Sequence, residues 1–171
     1  LTDKIKIELL DYRKLEGTFD KIISIEMLEA VGEKFLDVYF KKCHDLLKKD
    51  GLLALQVITC PDSRYENLLK GVDWIQKHIF PGTLLPSVGR INQAINATGD
   101  LTLVDLKEFG IDYAKTLSIW RSEFNKSIQA SPLLRLRSGQ ADPLLSVRSP
   151  SDKERGGFID ASFIRKWNYY L

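Results

Sequence analysis

The chain has 171 residues, of which 44% are hydrophobic and 10% aromatic, enough for the core of one domain. Its 25 Lys and Arg against 23 Asp and Glu are too balanced for a nucleic-acid-binding surface, although weak contact with anionic lipid stays open. No apolar run approaches the ~20 residues of a membrane-crossing helix, and two cysteines, Cys43 and Cys60, are too few for a disulfide framework and lack metal-ligand spacing, so a reducing, cytoplasmic setting without a metal is expected.

In chain order, Ile5, Ile7 and Leu9 alternate with Lys4, Lys6 and Glu8, which predicts a strand ending at Asp11-Tyr12-Arg13. The chain opens on Leu1 in what reads as that strand, so its amino terminus reads as an interior point of a longer protein. Lys21–Ile25 is a short β-branched run of the kind buried on both faces of a parallel sheet. Leu36, Phe40, Cys43 and Leu47 recur at helical spacing and predict one amphipathic helix over 33–49, stopped by Asp50-Gly51. Leu52–Ile58 then reads as a second strand, making residues 21–58 a βαβ unit with parallel strands.

A helix is expected over 65–79 and ends at Pro81-Gly82; a short helix follows over 87–97, and 101–109 is a third strand candidate. Asp112 is a candidate cap for a helix carrying Tyr113, Leu117, Trp120 and Phe124 on one stripe. Residues 130–157 are rich in Ser, Pro and Gly without an aromatic residue, and PLLRLRS (Pro132–Ser138) returns as PLLSVRS (Pro143–Ser149), which predicts a disordered, low-complexity insert. A patterned helix resumes at Asp160 with Phe163, Ile164, Trp167 and Leu171, and the chain stops within that pattern. His44 and His78 lie among charged neighbours on helix faces and read as solvated surface, while both cysteines read as small buried hydrophobes.

The stretch SIEMLEAVG (Ser24–Gly32) delivers Glu29 just past the carboxyl end of a strand, the edge of an open α/β sheet where ligands sit. Read from pattern alone, Glu29 is equally a first-turn glutamate favoured by the helix dipole, and Tyr113 a helix-start tyrosine with its ring packed and its hydroxyl wet.

SIEMLEAVG, LLALQVI, IFPGTLLPS (Ile79–Ser87) and FGIDYAKTLSIW (Phe109–Trp120) together resemble the cyclopropane-fatty-acyl-phospholipid synthase and mycolic-acid methyltransferase family, over its carboxyl-terminal half. The resemblance implies an α/β fold: a partial class I, Rossmann-like S-adenosylmethionine-dependent methyltransferase sheet that lacks its first strands, with flanking helices. Residues 1–129 would belong to that domain, 130–157 to the insert and 158–171 to a terminal helix of the same domain.

The family's active-site glutamate falls on Glu29 and not Glu26, and its active-site tyrosine on Tyr113. S-adenosylmethionine would be bordered by Asp11, Tyr12, Arg13 and Ile25, with the Tyr12 ring stacking on adenine. A bicarbonate ion, which serves as base in one branch of the family, would be held by Glu29, Gln56, the Ile58 backbone and Tyr113. Gln56 stands where that branch has a histidine, and an amide holds an anion less firmly than an imidazolium, so bicarbonate stays open. Ala30 departs as well, since a histidine often follows the glutamate.

The implied reaction is attack of a cis alkene in a phospholipid acyl chain on the sulfonium methyl, proton loss from the added carbon and ring closure; a methyl-branched or methylene product is an alternative outcome. The implied setting is cytoplasmic, peripheral to the inner face of the membrane, with a homodimer left open. Family members also carry a glycine-rich cofactor turn and an amino-terminal helical region with an active-site cysteine, and neither motif occurs in this sequence. A truncated, non-catalytic remnant and a methyltransferase of a small soluble substrate are the competing readings; IFPGTLLPS favours the lipid family over the latter.

Overall fold

A computed structural model of the chain describes residues 4–130 and 161–171. β-Branched Ile22, Ile23 and Ile25 favour extended backbone, and strand β1 covers Phe19–Ile25. After a four-residue helix, α1 (Leu28–Val31), and a 3-10 turn (Glu33–Phe35), helix α2 runs over Leu36–Leu46. Helix α2 buries Leu36, Tyr39, Phe40, Cys43 and Leu46, one stripe at helical spacing, as the amphipathic pattern requires.

Helix α2 stops three residues earlier than the sequence reading expected. Strand β2 occupies Leu47–Gln56, so Asp50-Gly51 lies inside the strand rather than ending the helix. The β1–β2 pair is parallel, as expected, and its register breaks where Phe19 opposes Leu47 but Lys21 opposes Leu52. The extra β2 residues bulge there, and a Cβ on Gly51 would come within 2.8 Å of the Leu47 side chain and 2.9 Å of the Lys48 carbonyl.

The expected helix over 65–79 is two helices, α3 (Asp62–Lys70) and α4 (Trp74–His78). Gly71 ends the first, and a capping box between Asp73 and Gln76 starts the second. Helix α5 (Val88–Thr98) begins at Ser87, whose hydroxyl accepts from the Arg90 N–H.

Neither 5–10 nor 101–109 forms a strand. Ile5, Ile7, Leu9, Leu103 and Val104 are exposed there. Alternation supplies strand propensity but not the neighbouring strand that makes it pay. The core joins Leu28, Leu36, Tyr39, Phe40, Cys43, Ile91, Ala94 and Ile95, with Leu53 and Leu55 of β2 packed against it. Among the described residues only that side of the sheet is covered: Ile23 and Ile25, expected to be buried, are 72% and 62% exposed.

The chain divides into two compact units, Leu1–Leu106 and Lys107–Leu171. In the second, helix α6 covers Gly110–Ala130 and helix α7 covers Ala161–Tyr170. Asp112 sits inside the first turn of α6 and pairs with Lys115 at 2.9 Å instead of capping the helix. Asn125 and Asn168 exchange amide hydrogen bonds of 2.9 and 3.1 Å between the two helices. Phe124 approaches Phe163 at 6.4 Å between ring centres, while Trp120 is exposed. The low-complexity insert expected over 130–157, with its quasi-repeat, lies beyond Ala130 outside the described residues.

Candidate active site around Glu29

At the end of β1 the chain turns sharply at Glu26, a non-glycine residue with φ of 49°. The turn drops Leu28 and Glu29 into the interior at the start of α1. Glu29 is only 7% exposed. Its Oε1 accepts the main-chain N–H of Ile58, two residues past β2, at 2.7 Å. Its Oε2 is buried and has no hydrogen-bond partner among the described residues. A buried carboxylate with one oxygen unmatched carries a desolvation cost that a positive or hydrogen-bonding guest would relieve.

The main chain of Glu29 is held separately. Its carbonyl accepts the Leu84 N–H at 2.9 Å. Leu84 belongs to the IFPGTLLPS stretch, where Pro81 and Gly82, with φ of 83°, make the bend from Phe80 to Thr83. The Gln76 side chain clamps the Thr83 carbonyl at 2.8 Å, and the Cys60 N–H binds the Pro86 carbonyl at 3.0 Å. IFPGTLLPS is therefore a strap between Glu29 and the segment after β2. Sequence reading missed Leu84, Cys60 and Gln76 in this role; the Asp73-x-x-Gln76 capping pattern was the available signal.

Of the residues expected at the site, the structure brings together Glu29 and Ile58. Gln56 is close by in sequence but turned elsewhere: its Nε2 donates to Glu26 at 3.2 Å, and its carbonyl accepts the Glu26 N–H at 2.8 Å. Ile25 pairs in register with Gln56 and is exposed. Tyr113 is half-buried in the first turn of α6, in the second unit.

Asp11 caps a 3-10 turn (Tyr12–Lys14) and holds Arg13 through both carboxylate oxygens. The Arg13 hydrogen bonds draw the Asp11 carboxyl down to about 2. Tyr12 packs edge-on against Tyr39 at 5.5 Å, and Tyr39 against Phe40 at 5.2 Å. Burial pushes the hydroxyls of both Tyr12 and Tyr39 above the ordinary phenol value. A second polar cluster links Arg90 to Glu33 at 2.7 Å and to Asp37 at 3.0 Å, with the Tyr65 hydroxyl donating to Glu33.

His44, expected as solvated surface, is half-buried and bridges Asp45 and Asp100 at 3.1 and 2.9 Å. Cys43 and Cys60 are buried, and among the described residues no group of His, Cys, Asp and Glu is arranged to hold a metal. No helix among the described residues is long and apolar enough to cross a membrane.

Residues 1–134 match the family model for mycolic acid cyclopropane synthetase. The chain belongs to that family. It is 39% identical over 121 residues to the tuberculostearic acid methyltransferase UfaA1 of Mycobacterium tuberculosis, a match covering 71% of this chain and 28% of the relative. With the cyclopropane-fatty-acyl-phospholipid synthase of Escherichia coli K12 it shares 40% over 121 residues, 70% of this chain and 30% of the relative.

Its structure resembles that of mycolic acid cyclopropane synthase CmaA1 complexed with SAH and CTAB, with a TM-score of 0.63 and 25% identity, over 95% of this chain and 53% of that one. The cyclopropane synthase MmaA2 of Mycobacterium tuberculosis shares the fold, with a TM-score of 0.62 and 21% identity over 75% of this chain and 50% of that one. The chain thus spans about 30% of the two curated relatives and about half of these solved synthases. Within the synthase family the two parallel strands and their helices are a partial Rossmann-like α/β sheet.

Proposed function

We propose that this chain carries the carboxylate part of a site that transfers a one-carbon unit from S-adenosylmethionine to the cis double bond of an unsaturated phospholipid, giving a cyclopropane. The observation that carries this reading is Glu29, a buried carboxylate with one oxygen fixed by the Ile58 N–H and the other unpartnered, in a chain of the cyclopropane synthetase family.

The residues present fit the methyl donor at two points. The unmatched Glu29 Oε2 suits a neighbouring positive charge, and the half-buried Tyr12 ring, steadied by Tyr39, suits an adenine edge. When bound, S-adenosylmethionine supplies an electrophilic methyl group on a positively charged sulfur. Glu29 then offers a fixed negative charge to the cation that develops on the acyl chain, where a preorganised carboxylate needs little reorganisation. Ile58 keeps that charge in one orientation. Tyr113 takes the family's tyrosine role. The acyl chain is reached by peripheral contact with the inner face of the membrane, from the cytoplasm.

Bicarbonate fits poorly. Of its expected donors, Gln56 Nε2 is engaged by Glu26 and the Ile58 N–H by Glu29 itself, so no step is assigned to that ion. A methyl branch in place of a ring is the second reading, favoured by the 39% identity to a tuberculostearic acid methyltransferase.

The test is a chimera in which residues 1–171 replace the matching part of the Escherichia coli synthase, assayed with labelled S-adenosylmethionine and vesicles of unsaturated phospholipid. Glu29→Gln should lower transfer by about 100-fold to 1000-fold with cofactor binding nearly intact, Glu26→Gln should do much less, and Tyr113→Phe should fall between. A chimera that binds the cofactor but methylates only soluble acceptors would overturn the lipid assignment. Full activity in Glu29→Gln together with an inactive Glu26→Gln would move the site to Glu26.

A further inference from the structure

We propose that Arg90 is a positioning residue for Glu29: through Glu33 it fixes the far end of α1, as Leu84 fixes the near end, and so sets where the carboxylate stands. This rests on the reading of Glu29 as the carboxylate of the site.

Helix α1 cannot orient itself. It has four residues, far fewer than the ~12–15 at which a helix begins to hold by itself in water, and Met27 gives it no side-chain cap. Its direction has to come from outside contacts. One is the Leu84 N–H on the Glu29 carbonyl. The other lies past Gly32, whose φ of 77° turns the chain into the 3-10 turn that starts at Glu33.

Glu33 is held on both carboxylate oxygens. Arg90 Nε donates to Oε1 at 2.7 Å, and the Tyr65 hydroxyl donates to Oε2. The same guanidinium donates from Nη2 to Asp37, in the first turn of α2, at 3.0 Å. Arg90 and Leu84 are six positions apart on one segment, with buried Pro86 and Ser87 between them, and the Ser87 hydroxyl accepts the Arg90 N–H. Residues 29–33 and 84–90 are thus joined at both ends, which restricts rotation of α1 as a single contact could not.

Burial separates this pair from the exposed ion pairs of the chain. The Arg90 side chain is 12% exposed, against 55% for Lys41 in its pair with Asp45, and its Nη1 is buried without a partner among the described residues. A buried ion pair adds little stability over apolar packing of the same shape, and its best-attested use is to specify one arrangement. The arrangement specified here is that of a short helix whose first turn carries Glu29. Arginine suits the task, because its planar fork spans two carboxylates where a lysine ammonium offers a single point of charge.

The test reads the two amides that contact Glu29. In the 171-residue chain, Arg90→Met keeps the stem and removes the fork; amide exchange at Ile58 and Leu84 should quicken by about tenfold or more, while Cys43 and Leu46 in α2 keep their wild-type rates. Arg90→Lys and Tyr65→Phe each retain part of the network and should give the same pattern with a smaller change, and Lys41→Met should alter none of the four amides. In the Escherichia coli chimera, Arg90→Met should lower kcat by about tenfold to 100-fold, the loss expected of a slightly misplaced group, and leave the KM for S-adenosylmethionine unaltered. Equal acceleration at all four amides in the Arg90 and Tyr65 variants would make Arg90 a general stabiliser and overturn the proposal. So would unchanged exchange at Ile58 and Leu84, or full kcat in the chimera with those two amides loosened. A chimera that is inactive with Arg90 intact fails the reaction reading alone, since the exchange pattern is measured without turnover.

Discussion

The Leu84 N–H donates to the carbonyl oxygen of Glu29 at 2.9 Å, joining residues 55 positions apart. This contact sets the height of α1 against the segment after β2, while the Ile58 N–H sets the direction of the Glu29 side chain. The two together define where the unmatched carboxylate oxygen lies.

Removing the Leu84 donor should therefore disturb Glu29 from a distance. Leu84→Pro deletes the N–H, whereas Leu84→Ala deletes only side-chain packing. A buried carbonyl left without its donor costs about 1–3 kcal/mol, so urea denaturation should place Leu84→Pro below Leu84→Ala by about that amount. Equal midpoints for the two variants would show that the strap does not hold α1.

The sequence announced β1 and α2 because each carries its own pattern, a β-branched run and an apolar stripe at helical spacing, and it placed the start of α5 near Ser87, where the structure adds the serine cap. It misled at 5–10 and 101–109, where alternation gave strand propensity without a partner strand to realise it. It merged α3 and α4 because apolar spacing continues across Gly71, and the local capping box at Asp73 overrides it. The position of Glu29 just past the end of β1 was legible from its motif, though its burial was not. Ile58 was legible only through family resemblance, and Leu84 not at all, since a main-chain N–H leaves no mark on residue identity.

His44 makes stability depend on pH. Hydrogen bonds donated to Asp45 and then Asp100 raise its folded-state pKa above the ordinary 6.5, against smaller opposing effects of burial and then of Lys41. A raised pKa stabilises the fold fully below the unfolded value and is lost as pH rises through the folded value. Melting temperature should accordingly fall as pH goes from about 6 to 8, and His44→Asn should flatten that part of the profile. A wild-type profile with the same slope as His44→Asn would refute the assignment.

Glu26 occupies left-handed backbone, which costs a side-chain-bearing residue about 1–2 kcal/mol. Glu26→Asn should raise stability by several tenths of a kcal/mol, since Asn tolerates this region, and Glu26→Val should lower it by about 1 kcal/mol or more. Thermal denaturation of the three proteins checks the order; Val above Asn would contradict it.

The reciprocal amide pair of Asn125 and Asn168 should behave as one unit. Each single change to Ala strands one half-buried amide, so the double variant should lose less than the sum of the singles, with a coupling of about 0.5–1.5 kcal/mol. Strict additivity in a double-mutant cycle would mean that the two helices are not held through these side chains.

The two groups that fix Glu29 both belong to the peptide backbone, which every residue except proline supplies. Genetic drift at positions 58 and 84 can thus exchange one side chain for another without moving the carboxylate, provided the replacement packs. Among homologues, the site's geometry would be inherited through chain path while the letters at its supports vary, and a survey of variants should find proline excluded at both places before any particular residue is required.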